Sequence, residues 1–135
     1  MATQVFVNLP TTDLARSRAF FDGLGWRIEP QFSDDNAICV VVSDTIYLMV
    51  LTREFFQTFT DKPIADPAVS VQVETALSRD SRDEVDALVD AAVTAGGSEP
   101  RSPQDLGFMY SRSFEDPDGN LFSAVHMDPD ALPEQ

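Results

Sequence analysis

The 135 residues suffice for one domain, or for two small modules sharing a core, and 43% apolar content with ten phenylalanines supports folding without a disulfide, which the single cysteine, Cys39, excludes in any case. Nine basic residues against 23 acidic ones, a formal charge of −14, exclude nucleic acid as a natural partner, because such a field repels a phosphate backbone; the charge serves solubility or draws in cationic ligands. No window approaches the roughly 20 apolar residues of a membrane span, and the opening MATQVFVNLP lacks the basic and apolar regions of a signal peptide, so the expectation is a cytoplasmic protein with no membrane partner.

Residues 4–9 alternate and are rich in Val and Phe, which predicts a strand ended by Pro10. Thr12 or Asp13 caps a helix reaching about Phe21, with Leu14, Phe20, Phe21 and Leu24 on its apolar side and Gly23 and Gly25 as stops. Strands follow over residues 26–32, 37–42 and 45–51, the last two joined by a Ser43-Asp44 turn. Residues 53–67 read as a connection in which Glu54, Phe55, Phe56 and Phe59 form a short apolar helix, its aromatics either core or a lid over a ligand.

The second half repeats the plan. Residues 69–77 predict a strand, and Ser81-Arg82-Asp83-Glu84 is a capping box. Val85, Leu88, Val89, Ala92 and Val93 then follow the spacing of one helix face up to Gly96-Gly97. Strands over residues 107–114 and 121–127 flank Asp116-Pro117-Asp118-Gly119, a strong turn signal, and residues 129–135 form a loose tail. Strand, helix, then strands at similar offsets suggest a duplicated βαβββ module within a single domain: module one over about 4–52, the connection over 53–67, module two over about 68–128.

Pro10-x-x-Asp13-Leu14-x-x-Ser17-x-x-Phe20-Phe21-x-x-Leu24-Gly25-Trp26, with Ala95-Gly96-Gly97 and the closing run from Phe114 to Asn120, resembles the vicinal-oxygen-chelate (glyoxalase/bleomycin-resistance/extradiol dioxygenase) superfamily over nearly the whole chain. The stretch from Pro103 to Tyr110 is similar to a subgroup labelled predicted lactoylglutathione lyase. The resemblance implies an α+β fold, paired βαβββ modules forming a curved, mostly antiparallel half-barrel sheet with outer helices, and a homodimer. Because this fold hosts many chemistries, it fixes architecture better than activity.

In the superfamily's metal enzymes, His, Glu or Gln side chains from the first and last strands of each module hold a divalent ion. Counted from the motifs, those positions fall on Phe6 and Met49 in module one, and on Glu74 and Ser123 in module two. A slip of one residue gives Val5 or Val7 and Leu48 or Val50, still with no donor. The expectation is no metal and no cofactor, with a divalent ion left open if a partner chain supplies ligands. Strand alternation turns His126 away from the hollow, and Cys39 sits in an apolar strand as an inert filler.

Glu74 is the candidate catalytic residue: in an apolar hollow, burial would favour its protonated form and suit it to proton transfer, unless it pairs with Arg112, Arg79 or another cation. The candidate ligand-binding set is Phe6, Asn8, Met49, Glu74, Tyr110, Arg112 and Ser123. Asn8 either orients a polar ligand or caps the following loop, and Tyr110 and Arg112 share one strand face, meeting a ligand or a neighbouring strand. Three readings follow. One is a metal-independent binder of a small, partly apolar and cationic molecule; another is a glyoxalase-like lyase or isomerase acting on a 2-oxoaldehyde–thiol adduct with Glu74 as base. The third is a dimeric interaction module with no small-molecule role.

Overall fold

The computed structural model describes residues 2–131. Two compact units divide the chain, residues 1–66 and 67–135. Each carries one four-stranded mixed sheet with one helix against a face of it.

In the first unit, β1 (Val5–Thr11), α1 (Leu14–Gly23), β2 (Arg27–Glu29), β3 (Ala37–Val41) and β4 (Ile46–Thr52) arrange their strands in the order β1-β4-β3-β2. The β1–β4 pair is parallel and the other two pairings are antiparallel. Asp13 caps α1, its carboxylate accepting from Arg16 N at 3.0 Å. Gly25, at φ +83, provides the left-handed residue after the helix. On the helix side of the sheet, Ile38, Val40, Leu48 and Val50 are fully buried together with Phe20 and Phe21 of α1. Each such apolar side chain contributes about 1.5–3 kcal/mol. The opposite face, freed from that core, carries the candidate site.

Two expectations are corrected here. Pro10 does not end β1, which runs to Thr11; β1 is an edge strand, where a missing N–H leaves no ladder bond unmade on the open side. The strand expected over 26–32 is only Arg27–Glu29, because Pro30 fixes its own φ and opens a 3-10 turn over Pro30–Phe32. The connection begins with α2 (Arg53–Gln57), capped by Thr52, and Arg53 donates to the carbonyls of Ala65 and Ile64 at 3.2 and 3.5 Å.

The second unit holds β5 (Glu74–Ser78), α3 (Arg82–Thr94), β6 (Gln104–Asp105), β7 (Met109–Glu115) and β8 (Leu121–Met127), with strand order β5-β8-β7-β6. The Ser81 half of the capping box forms, with Ser81 Oγ accepting from Glu84 N at 3.1 Å, while the Glu84 carboxylate reaches one residue past the cap and accepts from Asp80 N at 2.8 Å. Val85, Leu88, Val89 and Ala92 bury one face of α3, with Phe114 and Phe122 stacked in the sheet at 5.0 Å.

The strand expected over 69–77 starts only at Glu74. Its parallel partner β8 starts at Leu121, and the residues before that are bent into the Asp116–Asn120 turn, so earlier residues have no ladder to join. The expected strand over 107–114 begins at Met109, after Gly107 at φ +83. Gly119, at φ +99, is required: a Cβ there would stand 2.7 Å from the carbonyl oxygen of Pro67. Of the expected tail, Pro129–Ala131 forms a 3-10 turn and 132–135 lie outside the described residues.

Candidate functional site

Strand register lays two rows of side chains across the face of the first sheet that α1 does not cover. One row runs Phe6, Tyr47, Val41, Arg27; the next runs Asn8, Met49, Cys39, Glu29. With Gln4 and Phe32 at the margins, most of these residues enclose an open hollow of about 600 Å³, a size suited to a drug-like molecule.

Its lining is largely apolar and soft. Phe6 and Tyr47 stack with centroids 4.8 Å apart and planes 11° from parallel. The Tyr47 hydroxyl donates to Asp44 O at 3.1 Å and accepts from Gln4 Nε2 at 3.3 Å, which fixes the ring against Phe6. Met49 and Cys39 lie opposite each other on β4 and β3 and place two sulfurs on the floor. Burial pushes the Cys39 thiol up from its ordinary value, the charge of Glu29 adds to this, and Arg27 opposes it. The thiol therefore stays protonated at neutral pH and is a poor nucleophile. Arg27 and Glu29 form an ion pair at the β2 margin, the guanidinium the more exposed of the two.

Among the sequence-derived candidates, Phe6 and Met49 are brought together as diagonal neighbours on this wall. Asn8 shares the face but does not line the hollow, and its amide lies 3.4 Å from Phe6 O on its own strand.

In the second unit, Glu74 and Ser123 share the face opposite α3, where the Ser123 hydroxyl donates to Glu74 Oε1 at 3.1 Å. Arg101 stands 3.9 Å from the other Glu74 oxygen. The Glu74 side chain keeps 36% of its surface exposed, so within this unit it does not sit in the apolar enclosure expected from the sequence. Ser113 lies beside Ser123 in the β7–β8 ladder, and its Oγ is buried without a hydrogen-bond partner among the described residues.

Tyr110 and Arg112 project to the helix side instead, and their polar groups are committed there. Arg112 reaches Glu99 through two bonds of 2.9 Å, Asp86 at 2.9 Å and Asp90 at 3.0 Å. Tyr110 donates to Asp86 at 2.7 Å beneath the Arg82 guanidinium, which itself grips Asp105 at 2.7 and 2.9 Å. His126 stands on this side too, its Nδ1 3.0 Å from Arg79 O, as alternation predicts.

The four positions counted for a metal thus offer a phenyl ring, a thioether, a carboxylate and a hydroxyl. Among the described residues, no group of three or more His, Cys, Asp and Glu side chains is placed to hold an ion. Sequence reasoning missed Glu29, Arg27, Tyr47 and Gln4. The metal count drew attention to single positions on the first and last strands, whereas the hollow extends along them to Gln4 and Tyr47 and across the sheet to Arg27 and Glu29 on β2.

Comparison with known proteins agrees with this architecture. Residues 3–43 match the family model described as bleomycin resistance protein-like N-terminal. A glyoxalase/bleomycin resistance protein/dioxygenase family enzyme from Burkholderia phytofirmans PsJN superposes with a TM-score of 0.76 at 18% identity, covering 93% of this chain and 99% of that one. A hypothetical protein from S. aureus, SA1046, gives 0.77 at 23% identity, covering 93% and 94%. The bleomycin resistance determinant encoded on transposon Tn5 gives 0.66 at 21%, covering 94% and 99%. A search of curated proteins returns no significant match. The chain has the vicinal-oxygen-chelate fold, built from two βαβββ modules. Its opening segment carries the bleomycin-resistance-like signature. No described helix is long and apolar enough to cross a membrane.

Proposed function

We propose that this protein binds a small, partly apolar molecule without a metal, in the manner of a resistance or sequestration protein. The observation that carries the reading is the open 600 Å³ hollow on the first sheet, walled by Phe6, Tyr47 and Met49. The donors at the four counted positions do not suit Ni, Zn or Fe(II), which need several imidazole or carboxylate ligands to offset lost hydration. The acidic chain favours a cationic ligand, and the Tn5 bleomycin resistance determinant shares the fold.

A glyoxalase-like lyase or isomerase is the competing reading, supported by a Glu74 carboxylate that remains partly open beside Ser123. Such chemistry leans on a Lewis acid for its enediolate, which weighs against it here. We also propose a cytoplasmic homodimer; exposed Val69, Val71 and Val73 next to edge strand β5 support association.

Calorimetric titration of chelator-treated protein with Ni, Zn, Fe(II) and Mn tests the reading, together with thermal-shift screening of small molecules. The expected result is no ion bound tightly and a ligand-dependent rise in melting temperature without turnover. One tightly bound ion per chain overturns the metal-free reading. Turnover of a 2-oxoaldehyde–thiol adduct that Glu74→Gln abolishes establishes the lyase. No response to any molecule, with tight capture of a protein, favours an interaction module.

A further inference from the structure

Among the described residues, Glu29 is the one carboxylate lining the hollow of the first unit. It ends the row Asn8, Met49, Cys39, Glu29, so its backbone directs it to the same face as the sulfur floor. Its side chain is 19% exposed, and its ion-pair partner Arg27 is 63% exposed. A guanidinium held mostly in water is an easily replaced partner, since exposed ion pairs contribute about 0–1 kcal/mol. Apart from Gln4 and Arg27 the rest of the lining is apolar or aromatic: the Phe6–Tyr47 stack stands at the β1 side, and Phe32 follows β2 on the other. The Ser33 hydroxyl donates to Glu29 O at 2.5 Å and accepts from Cys39 N at 3.1 Å, tying the turn that carries Phe32 to β3.

We infer that the hollow selects a flat aromatic cation, whose ring lies on the Met49–Cys39–Val41 floor between the aromatic margins and whose charged nitrogen takes the place of Arg27 at Glu29. This deepens the binding reading above and rests on it. Ring contacts supply apolar and stacking affinity. Glu29 supplies a charge-assisted hydrogen bond in a partly desolvated position, and the chain's net charge of −14 concentrates cations around it.

The test is calorimetry with two flat three-ring probes of opposite charge, 9-aminoacridine and anthracene-9-carboxylate, plus the saturated cage 1-adamantanol. Wild-type protein is expected to bind one 9-aminoacridine per chain, and the carboxylate at least about tenfold more weakly. Glu29→Gln is expected to weaken the cation about tenfold, and Arg27→Gln, which removes the competitor, to strengthen it. Glu54→Gln on exposed α2 controls for the loss of one negative charge. Equal binding of the two acridine-sized probes, or a loss at Glu29→Gln no greater than at Glu54→Gln, overturns the inference. If 1-adamantanol binds while neither flat probe does, the ligand class is wrong and the binding reading stands. If none of the three binds, both fall.

Discussion

Phe6 and Tyr47 face each other across the parallel β1–β4 ladder, their rings stacked at 4.8 Å on the side of the sheet that α1 leaves open. Phe6 remains 50% exposed in this arrangement, so its ring contributes to a surface more than to a core. Phe6→Ala should therefore cost only about 1 kcal/mol of stability, well below the 3–5 of a buried Phe. The same change should remove most ligand-induced thermal stabilisation. A melting curve with and without ligand separates the two effects; a loss of several kcal/mol would make Phe6 a structural residue.

Arg112 is the hub of polar contacts on the helix side of the second sheet, its side chain 12% exposed and bonded to Asp86, Asp90 and Glu99. Substitution by Leu leaves three carboxylates facing one another without their shared cation. The expected loss is about 2–3 kcal/mol, less than a fully buried pair because the carboxylates are partly exposed. The Tyr110 hydroxyl, and then Arg112, hold the Asp86 carboxyl below its ordinary value. A depressed carboxylate adds stability above its unfolded value and loses it as pH falls through the folded one. Urea melts of wild type and Arg112→Leu should therefore differ at pH 7 and converge toward pH 2.

How much of this was legible in the sequence follows from what register requires. Thr12 or Asp13 for the first helix, and Ser81 with Glu84 for the other, marked both starts, because caps act through neighbouring backbone; Asp13 is the cap that forms. Counting from the motifs paired Phe6 with Met49, and alternation turned His126 away from Ser123, because a strand's two faces are fixed locally. It could not say that the Tyr110–Arg112 face meets α3, since Asp86, Asp90 and Glu99 come from other elements. The Val69, Val71, Val73 alternation reads as strand by composition, yet pairing depends on where β8 begins. Glu29 was invisible for the same reason: only the β2–β3–β4 register shows that it shares a floor with Cys39 and Met49.

Ser113 Oγ is buried with no partner among the described residues, next to Ser123 in the ladder. An unmet buried hydroxyl costs about 1–3 kcal/mol. Ser113→Ala should therefore raise stability by roughly 1 kcal/mol, visible as a melting-temperature increase of about 2–4 °C for a chain of this length. A decrease would mean that the hydroxyl holds an ordered water whose bonds outweigh the cost of burying it.

Asp116 gives a pH signature of opposite sign to that of Asp86. It closes the turn before β8, accepting from Asp118 N at 3.0 Å, Asn120 N at 2.8 Å and Asn120 Nδ2 at 2.9 Å. Burial nevertheless outweighs these bonds and, with the charge of Asp118, pushes its carboxyl up to about 6. The folded state then holds the proton more tightly than the unfolded one, whose value is the ordinary 3.8. Stability from this group is fully present below about pH 4 and is lost as pH rises through 6, with a span of about 3 kcal/mol. Asp116→Asn cannot titrate, so the advantage of wild type over this variant should grow as pH falls from 7 to 4. Chemical denaturation across that range checks it, and carboxyl NMR of Asp116 locates the midpoint. A constant difference between the two proteins would mean that the three hydrogen bonds keep the carboxylate ionised throughout.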